Sequence, residues 1–358
     1  MEGFRLQTSD FRLRVSGFIG FTLVELLLVI SIIGILSGLS ITVTRQVYHS
    51  ARVAKTDSTI QKLDSVLMEM YANYENRRVP SPNFGVTPEA ATVTQAARLW
   101  FLRDMIRMEM PCNKDEITTG PLGFRFRYRA QDGTSRDTVG FISIPASPLQ
   151  QLYLTEINKS NGQYESAKCL YLVVMYGNPE VRELFVDSEI ATDEDGLSYF
   201  VDGWGNPIYF LRWAPGLALS ERQPSVISAR ENTGNWGDSA ITNNKEMASF
   251  ERQDPLDPTE VGGIIDSISS PSGQWQCVVD LTQKWSDGSP RRGWTLLPVV
   301  MSSGGEQASN FDESFGMELS AKNGNDVIPA VDPFYWPIGA YLDGKANHAI
   351  IHNHSARR

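Results

Sequence analysis

Between Phe21 and Val43 the chain runs for 23 residues with one charged side chain, Glu25. A helix rises 1.5 Å per residue, so this run extends about 35 Å, enough to cross the ~30 Å hydrocarbon layer of a bilayer. No other segment restricts the fold as strongly, because so much apolar surface must be covered by lipid, by other chains or by a core. An ionised carboxylate inside hydrocarbon costs a few kcal/mol, which makes Glu25 a functional residue by default, with a partner to be named. An ordinary secretory signal has an apolar core of about 7–15 residues, shorter than this one, although Gly38-Leu39-Ser40 has the form of a small-x-small cleavage site. A plain membrane anchor accounts for the length but for neither Glu25 nor the Gly20-Phe21 junction. Gly34 and Gly38, with Ser31, Ser37 and Ser40 nearby, give the segment a small-residue stripe of the kind that lets helices approach closely in lipid.

Charge does not orient the segment. Arg5, Arg12 and Arg14 precede it, and Arg45, Arg52 and Lys55 follow before Asp57. With three cations on each side, the positive-inside rule is silent.

Beyond Val43 the helical pattern continues. Val53, Ile60, Leu67 and Tyr74 recur every seven residues, with Thr56, Leu63 and Met70 on the adjoining stripe. Pro80 and Pro82 stop it. A helix from Phe21 to about Arg78 is expected, about 87 Å long. Its outer stripe suits either a coiled-coil stalk or packing onto the protein's own sheet, and the long region that follows favours the second.

Residues 80–358 are enough to bury a substantial core. Helices are expected over Thr94–Glu109, Ala167–Met175 and Pro179–Phe185. Strands are expected over Tyr199–Val201, Pro207–Trp213, Cys277–Leu281 and Gly293–Met301. Residues 214–275, rich in Ser, Asn, Gly and Pro, read as long loops. The chain carries a formal charge of −10. An acidic head argues against a nucleic-acid partner, which needs basic surface.

The run Gly20-Phe21-Thr22-Leu23-Val24-Glu25, followed by apolar residues, resembles the class III signal of type IV prepilins and type II secretion pseudopilins. The resemblance implies cleavage by a prepilin peptidase after Gly20, methylation of the new amino-terminal Phe21, and an assembly role for Glu25. In a bundle of subunits Glu25 would pair with the amine of a neighbouring Phe21. Many of these families carry a proline where Thr42 stands here, so the helix melting that proline allows is not implied for this chain. A second run, Asp202-Gly203-Trp204-Gly205-Asn206-Pro207-Ile208-Tyr209-Phe210, resembles a motif of the major (G-type) pseudopilins. Chemically it is a turn into a strand: glycines permit unusual backbone angles, proline fixes one, and Trp204 packs. The stretch Leu297–Gly305 is faintly similar to the last strand and glycine-rich loop of that family.

The G-type resemblance also implies a calcium ion in a C-terminal acidic loop, where this chain offers only Glu306, Asp312 and Glu313. A better calcium candidate on chemical grounds is Asp193-Glu194-Asp195-Gly196 with Asp202, close to the Asp-x-Asp-Gly-x5-acid spacing of a calcium loop. Its first ligand position is Ala191, for which Glu189 would have to substitute; a solvated acidic turn is the other reading. Cys112, Cys169 and Cys277 are odd in number, so an oxidising compartment allows one disulfide and leaves one thiol. Cys169, in an apolar helical run, reads as core. His348 and His352 are spaced to share a helix face, but with His354 they read as a polar tail rather than a metal set. No nucleophile elbow, phosphate loop or dinucleotide fingerprint occurs, and nothing argues for an enzyme.

The expectation is an α+β, pilin-like chain: leader 1–20, membrane and assembly helix 21–43, amphipathic extension 44–79, and a head over 80–358 with the helix packed on a small antiparallel sheet. The resemblance implies a single-pass bacterial inner-membrane protein with a cytoplasmic N-terminus and a periplasmic head. Its implied partners are prepilin peptidase, other pseudopilin subunits, the inner-membrane secretion platform and membrane lipid. The alternatives are a surface type IV pilin and a tethered periplasmic binding protein that never polymerises.

Overall fold

The first helix begins at a capping box. The Thr22 hydroxyl accepts from the Glu25 N–H at 3.2 Å, and Glu25 Oε2 accepts from the Thr22 N–H and hydroxyl, each at 2.9 Å. From there helix α1 runs Leu23–Glu75, 53 residues with no proline. It closes with the Arg77 N–H donating to the Tyr74 carbonyl at 3.1 Å. The computed structural model describes residues 22–80, 82, 84, 87–129, 132, 134–137, 141–212, 256–259, 261, 265–269, 275–282, 298–305 and 351–352. Two compact units divide the chain, Met1–Ser50 and Ala51–Arg358, and α1 contributes residues to both.

In the second unit α1 buries Thr56, Thr59, Ile60, Leu63, Val66, Leu67, Tyr71 and Tyr74. Steps of three and four residues put them on one face. Val53 and Met70, at the margin of that face, are half-buried. The face lies in the protein's own core, so the stripe belongs to the head rather than to a stalk.

Helix α2, Pro88–Glu109, is the centre of that core. Thr87 caps it by accepting from the Ala90 N–H at 3.1 Å, and Pro88 takes the first turn, where no donor is needed. It starts six residues before the Thr94 expected from the apolar stripe, because the signal at its start is the cap and not hydrophobicity. From Leu99 to Met110 nearly every side chain is buried, charged ones included. Short α3, Lys114–Thr118, is capped by Asn113. Then come strands β1, Phe124–Arg129, and β2, Ser135–Asp137. Helix α4, Pro148–Ile157, is capped by Ser147 and starts with proline; α5, Glu165–Gly177, follows. Two 3-10 turns, Pro179–Leu184 and Asp187–Glu189, lead into β3, Ile190–Thr192, β4, Ser198–Phe200, and β5, Ile208–Leu211. Strands β6, Ile265–Ser269, β7, Trp275–Asp280, β8, Val299–Ser302, and β9, Ile351–His352, complete the described elements.

The architecture is α+β, with three small sheets among the described residues, in the orders β2-β1-β7-β6, β3-β4 and β5-β8-β9. The expected small antiparallel sheet needs correcting in two respects, because the strands divide among several sheets and one pair is parallel. β1 and β7 are parallel, Phe124 beside Trp275 and Phe126 beside Cys277, while the other pairs are antiparallel. Parallel neighbours need a long crossover, and the helices and short strands between β1 and β7 supply it. On β1, Phe124 and Phe126 are buried while Arg125 and Arg127 are half-exposed. Phe124 meets the Trp100 ring edge-on at 4.5 Å, and Phe126 meets Phe101 at 5.6 Å, which packs β1 on α2. Helix α5 lies against β4 and β5. There Ser166 Oγ accepts from the Phe210 N–H at 3.0 Å and donates to the Phe210 carbonyl at 2.7 Å.

Two other expectations change. The stretch 214–275 is not all loop, since β6 forms there and pairs along β7. The C-terminal segment is not only a polar tail, because the backbone of Ile351–His352 extends the β5-β8 sheet. Both are short edge pairings that tertiary contact decides more than local sequence does.

Candidate functional site

In the first unit the capping box at Thr22–Glu25 opens a helix with no cover. Leu23, Val24, Leu26, Leu27, Leu28, Ile30, Ile33, Ile35 and Leu36 are all more than half exposed, as are Val43, Val47 and Tyr48. Apolar side chains on every side of a helix require an apolar surround. By length and composition this helix can cross a membrane. Ideal Cβ atoms placed on Gly34 and Gly38 meet nothing within 4 Å, so the faces they leave are open to a neighbour. Gly20 and Phe21 lie outside the described residues.

In the second unit the Asp202–Pro207 run forms a turn built around one carboxylate. Asp202 Oδ1 accepts from the N–H groups of Trp204 and Asn206, each at 2.8 Å. Its Oδ2 accepts from Ser302 Oγ at 2.7 Å and from Asn206 Nδ2 at 3.4 Å. Asn206 Nδ2 also donates to the Gly304 carbonyl at 2.9 Å, so the turn is sewn to the end of β8. On its other side the Gly203 N–H donates to Thr56 Oγ1 of α1 at 2.9 Å. A Cβ at Gly203 would fall 2.3 Å from the Arg52 carbonyl oxygen, and one at Gly305 would fall 2.4 Å from the Trp204 indole nitrogen. Glycine is required at both places because backbone lies against helix at one and ring at the other. The turn is a structural clamp between α1 and β8.

The acidic loop ahead of it is organised by a cation that the sequence reading overlooked. Lys168 lies on α5, its side chain 1% exposed. Its Nζ donates to Asp193 Oδ2 at 2.7 Å, to Asp195 Oδ2 at 2.5 Å and to Asn161 Oδ1 at 3.2 Å. Burial by itself would lower the Lys168 pKa; the bonds to the two aspartates outweigh it and hold the ammonium above its ordinary value. The Lys168 bond is the main cause that lowers the Asp193 pKa. Burial raises that of Asp195, but Lys168 and the Leu197 and Asn161 N–H groups bring it below the usual carboxylate range.

The carboxylates of the calcium candidate are engaged by the protein itself. Lys168 already stands between Asp193 and Asp195, and the Asp202 carboxylate is taken up by its own turn. Among the described residues no group of three or more His, Cys, Asp or Glu side chains is placed to hold a metal. Glu189, the substitute ligand considered for this loop, faces α1 instead. It accepts from Lys62 Nζ at 2.9 and 3.0 Å and from Thr59 Oγ1 at 2.8 Å. Glu306, Asp312, Glu313, His348 and His354 lie outside the described residues.

A second buried network was not apparent from the sequence. Arg212, just past β5, makes a two-pronged pair with Glu116 of α3, each bond 2.7 Å, across 96 residues of sequence. Glu116 Oε2 also accepts from the Cys112 N–H at 2.6 Å. Arg107 donates to Asp104 at 2.9 Å and to the Glu116, Thr119 and Gly120 carbonyls, closing the loop after α3. Cys112 and Cys169 are free thiols. Burial, then the nearby Glu116 charge, pushes the Cys112 thiol up to about 12. The signal for Lys168 was present: a lysine inside the apolar run 167–175 is buried only when paired. Nothing local marked Arg212 as the partner of Glu116.

No protein-family model, curated protein or solved structure matches this chain.

Proposed function

We propose that this protein is a pilin-like structural subunit, not an enzyme, which polymerises through its N-terminal helix into the periplasmic pseudopilus of a type II secretion system. Prepilin peptidase cuts after Gly20 and methylates Phe21. The helix is then held in the inner membrane with the head in the periplasm, until the secretion platform, driven by a cytoplasmic ATPase, adds it to the growing pseudopilus. The observation that carries this reading is the first unit. From Leu23 to Gly38 its helix has apolar side chains on every side, which both lipid and the packed helices of other subunits would cover, and one carboxylate, Glu25, at its start.

The capping box sharpens the role of that carboxylate. Glu25 holds the helix start through Oε2, a task glutamine also performs in a capping box. Charge pairing with the Phe21 amine of a neighbouring subunit needs the ionised form. Glu25→Gln therefore separates the two roles: assembly is expected to fail while the helix start is kept. Fibres formed normally by Glu25→Gln would reduce Glu25 to a cap, whereas a wild-type chain that forms no fibres in the presence of the peptidase would make a membrane-tethered protein the better reading. Mass spectrometry of the mature N-terminus, with and without prepilin peptidase, tests the processing step. A peptidase-dependent species beginning at methylated Phe21 is expected; an uncut chain, or cleavage near Ser40, would overturn it. Display of long fibres at the cell surface would favour the type IV pilin alternative.

A further inference from the structure

The geometry points to Lys168 as a built-in counter-ion that performs, in the loop Asp193–Leu197, the ordering task a bound divalent cation would perform. Three oxygen atoms from two separate segments, Asn161 Oδ1, Asp193 Oδ2 and Asp195 Oδ2, converge on one nitrogen. That is how oxygen ligands surround a hard cation, but the charge at the centre is covalently part of α5. The same loop is held by secondary bonds of the kind that pre-shape a cation loop. The Asn161 N–H donates to Asp195 Oδ2 at 3.1 Å, the Leu197 N–H to Asp195 Oδ1 at 2.9 Å, and the Glu194 N–H to Asp193 Oδ1 at 2.8 Å. Gly196 takes a positive φ of 81° at the tight corner.

The Asp-x-Asp-Gly spacing is thus accounted for without a metal. Two carboxylates face one ammonium, so the cluster has a net charge of −1, and Glu194 adds a further exposed negative charge. A divalent cation entering this cluster would have to expel an ammonium that is buried and bonded to both aspartates. The cost of stranding that charge opposes the exchange. This ties the β3-β4 hairpin to α5 at any calcium concentration, which calcium-dependent ordering would not do.

The test follows thermal unfolding of the full chain in detergent, in chelator and in about 5 mM calcium, where a site of micromolar affinity would be saturated. The calcium response of the wild type is expected to match that of the Asp193→Asn plus Asp195→Asn variant, so that any response belongs elsewhere in the chain. A wild-type response abolished by those two substitutions would overturn the inference, because it would mean that calcium displaces Lys168. Lys168→Met should melt lower in chelator by about 5 °C or more and regain part of the loss in calcium, a gain that Asp195→Asn removes. Lys168→Met that melts like the wild type would also overturn it. If Lys168→Met fails to fold, the wild-type arm still decides. The outcome is independent of whether the chain assembles into a pseudopilus.

Discussion

Replacing Asp202 with alanine removes the acceptor of four hydrogen bonds, from two backbone N–H groups, one amide and one hydroxyl, in a turn whose carboxylate is almost fully buried. Stranded buried donors cost on the order of 1–3 kcal/mol each, with partial relaxation. Asp202→Ala is therefore expected to lower the stability of the head by about 2–4 kcal/mol, read from denaturant unfolding. Glu189, Asp193 and Asp195 link stability to pH. Burial would raise the Glu189 pKa, but Lys62, the Val186 N–H and Thr59 lower it on balance; Asp193 and Asp195 are lowered as described. A carboxylate whose folded pKa is depressed contributes stability that is complete above its unfolded value, near 4, and disappears as pH falls through the folded value. Asp57, Asp104 and Glu165 act in the opposite sense: burial raises each of them, Asp104 despite Arg107, so their contribution grows as protons are added. The stability contributed by Glu189, Asp193 and Asp195 is lost between about pH 5 and pH 2, against this opposite pull, and its share is read from the slope of melting temperature against pH over that range. Lys168→Met should flatten the part of that slope due to Asp193 and Asp195. An unchanged slope in that variant would show that Lys168 does not set their titration.

At the scale of elements, a buried ion pair ties α3 to the residue just past β5. Arg212→Ala leaves Glu116 charged and buried, at a cost of about 3–5 kcal/mol, whereas Glu116→Leu with Arg212→Met is expected to recover most of it. A double-mutant cycle on the unfolding free energy measures the coupling. Elements differ in how far the sequence announces them. The alternation of Phe124, Phe126 and Tyr128 with Arg125, Arg127 and Arg129 is a plain period-two strand, and Thr87-Pro88 and Ser147-Pro148 are plain helix starts; all were legible, but none lies in a long apolar run. Helix α5 and strands β4, β5, β7 and β8 appear near their expected places, since each carries its own apolar run. Strand β6 lacks such a signal, because Ile265 and Ile268 do not alternate, and it forms by pairing with β7.

For the whole molecule, the division after Ser50 separates two kinds of surface. The unit Ala51–Arg358 has its own core, which includes the buried face of α1 from Thr56 to Tyr74. A chain beginning at Ala51 is expected to fold and remain soluble without detergent, while the full chain needs detergent or lipid. Circular dichroism and size-exclusion chromatography check this, and aggregation of the fragment would mean that the core requires the first unit. The sequence by itself determined the long helix, its membrane-length apolar run and the position of Glu25, because helix propagation and hydrophobic length are local properties. It also placed the Asp202 turn, whose glycines and proline limit the backbone locally. Only the tertiary structure decided that Ser302 and Thr56 anchor that turn, that Arg212 pairs with Glu116, and that Lys168 bonds both Asp193 and Asp195. Pairing of charges and hydrogen-bonding groups depends on distance in space, and local sequence does not say which residues 25 to 147 positions apart become partners.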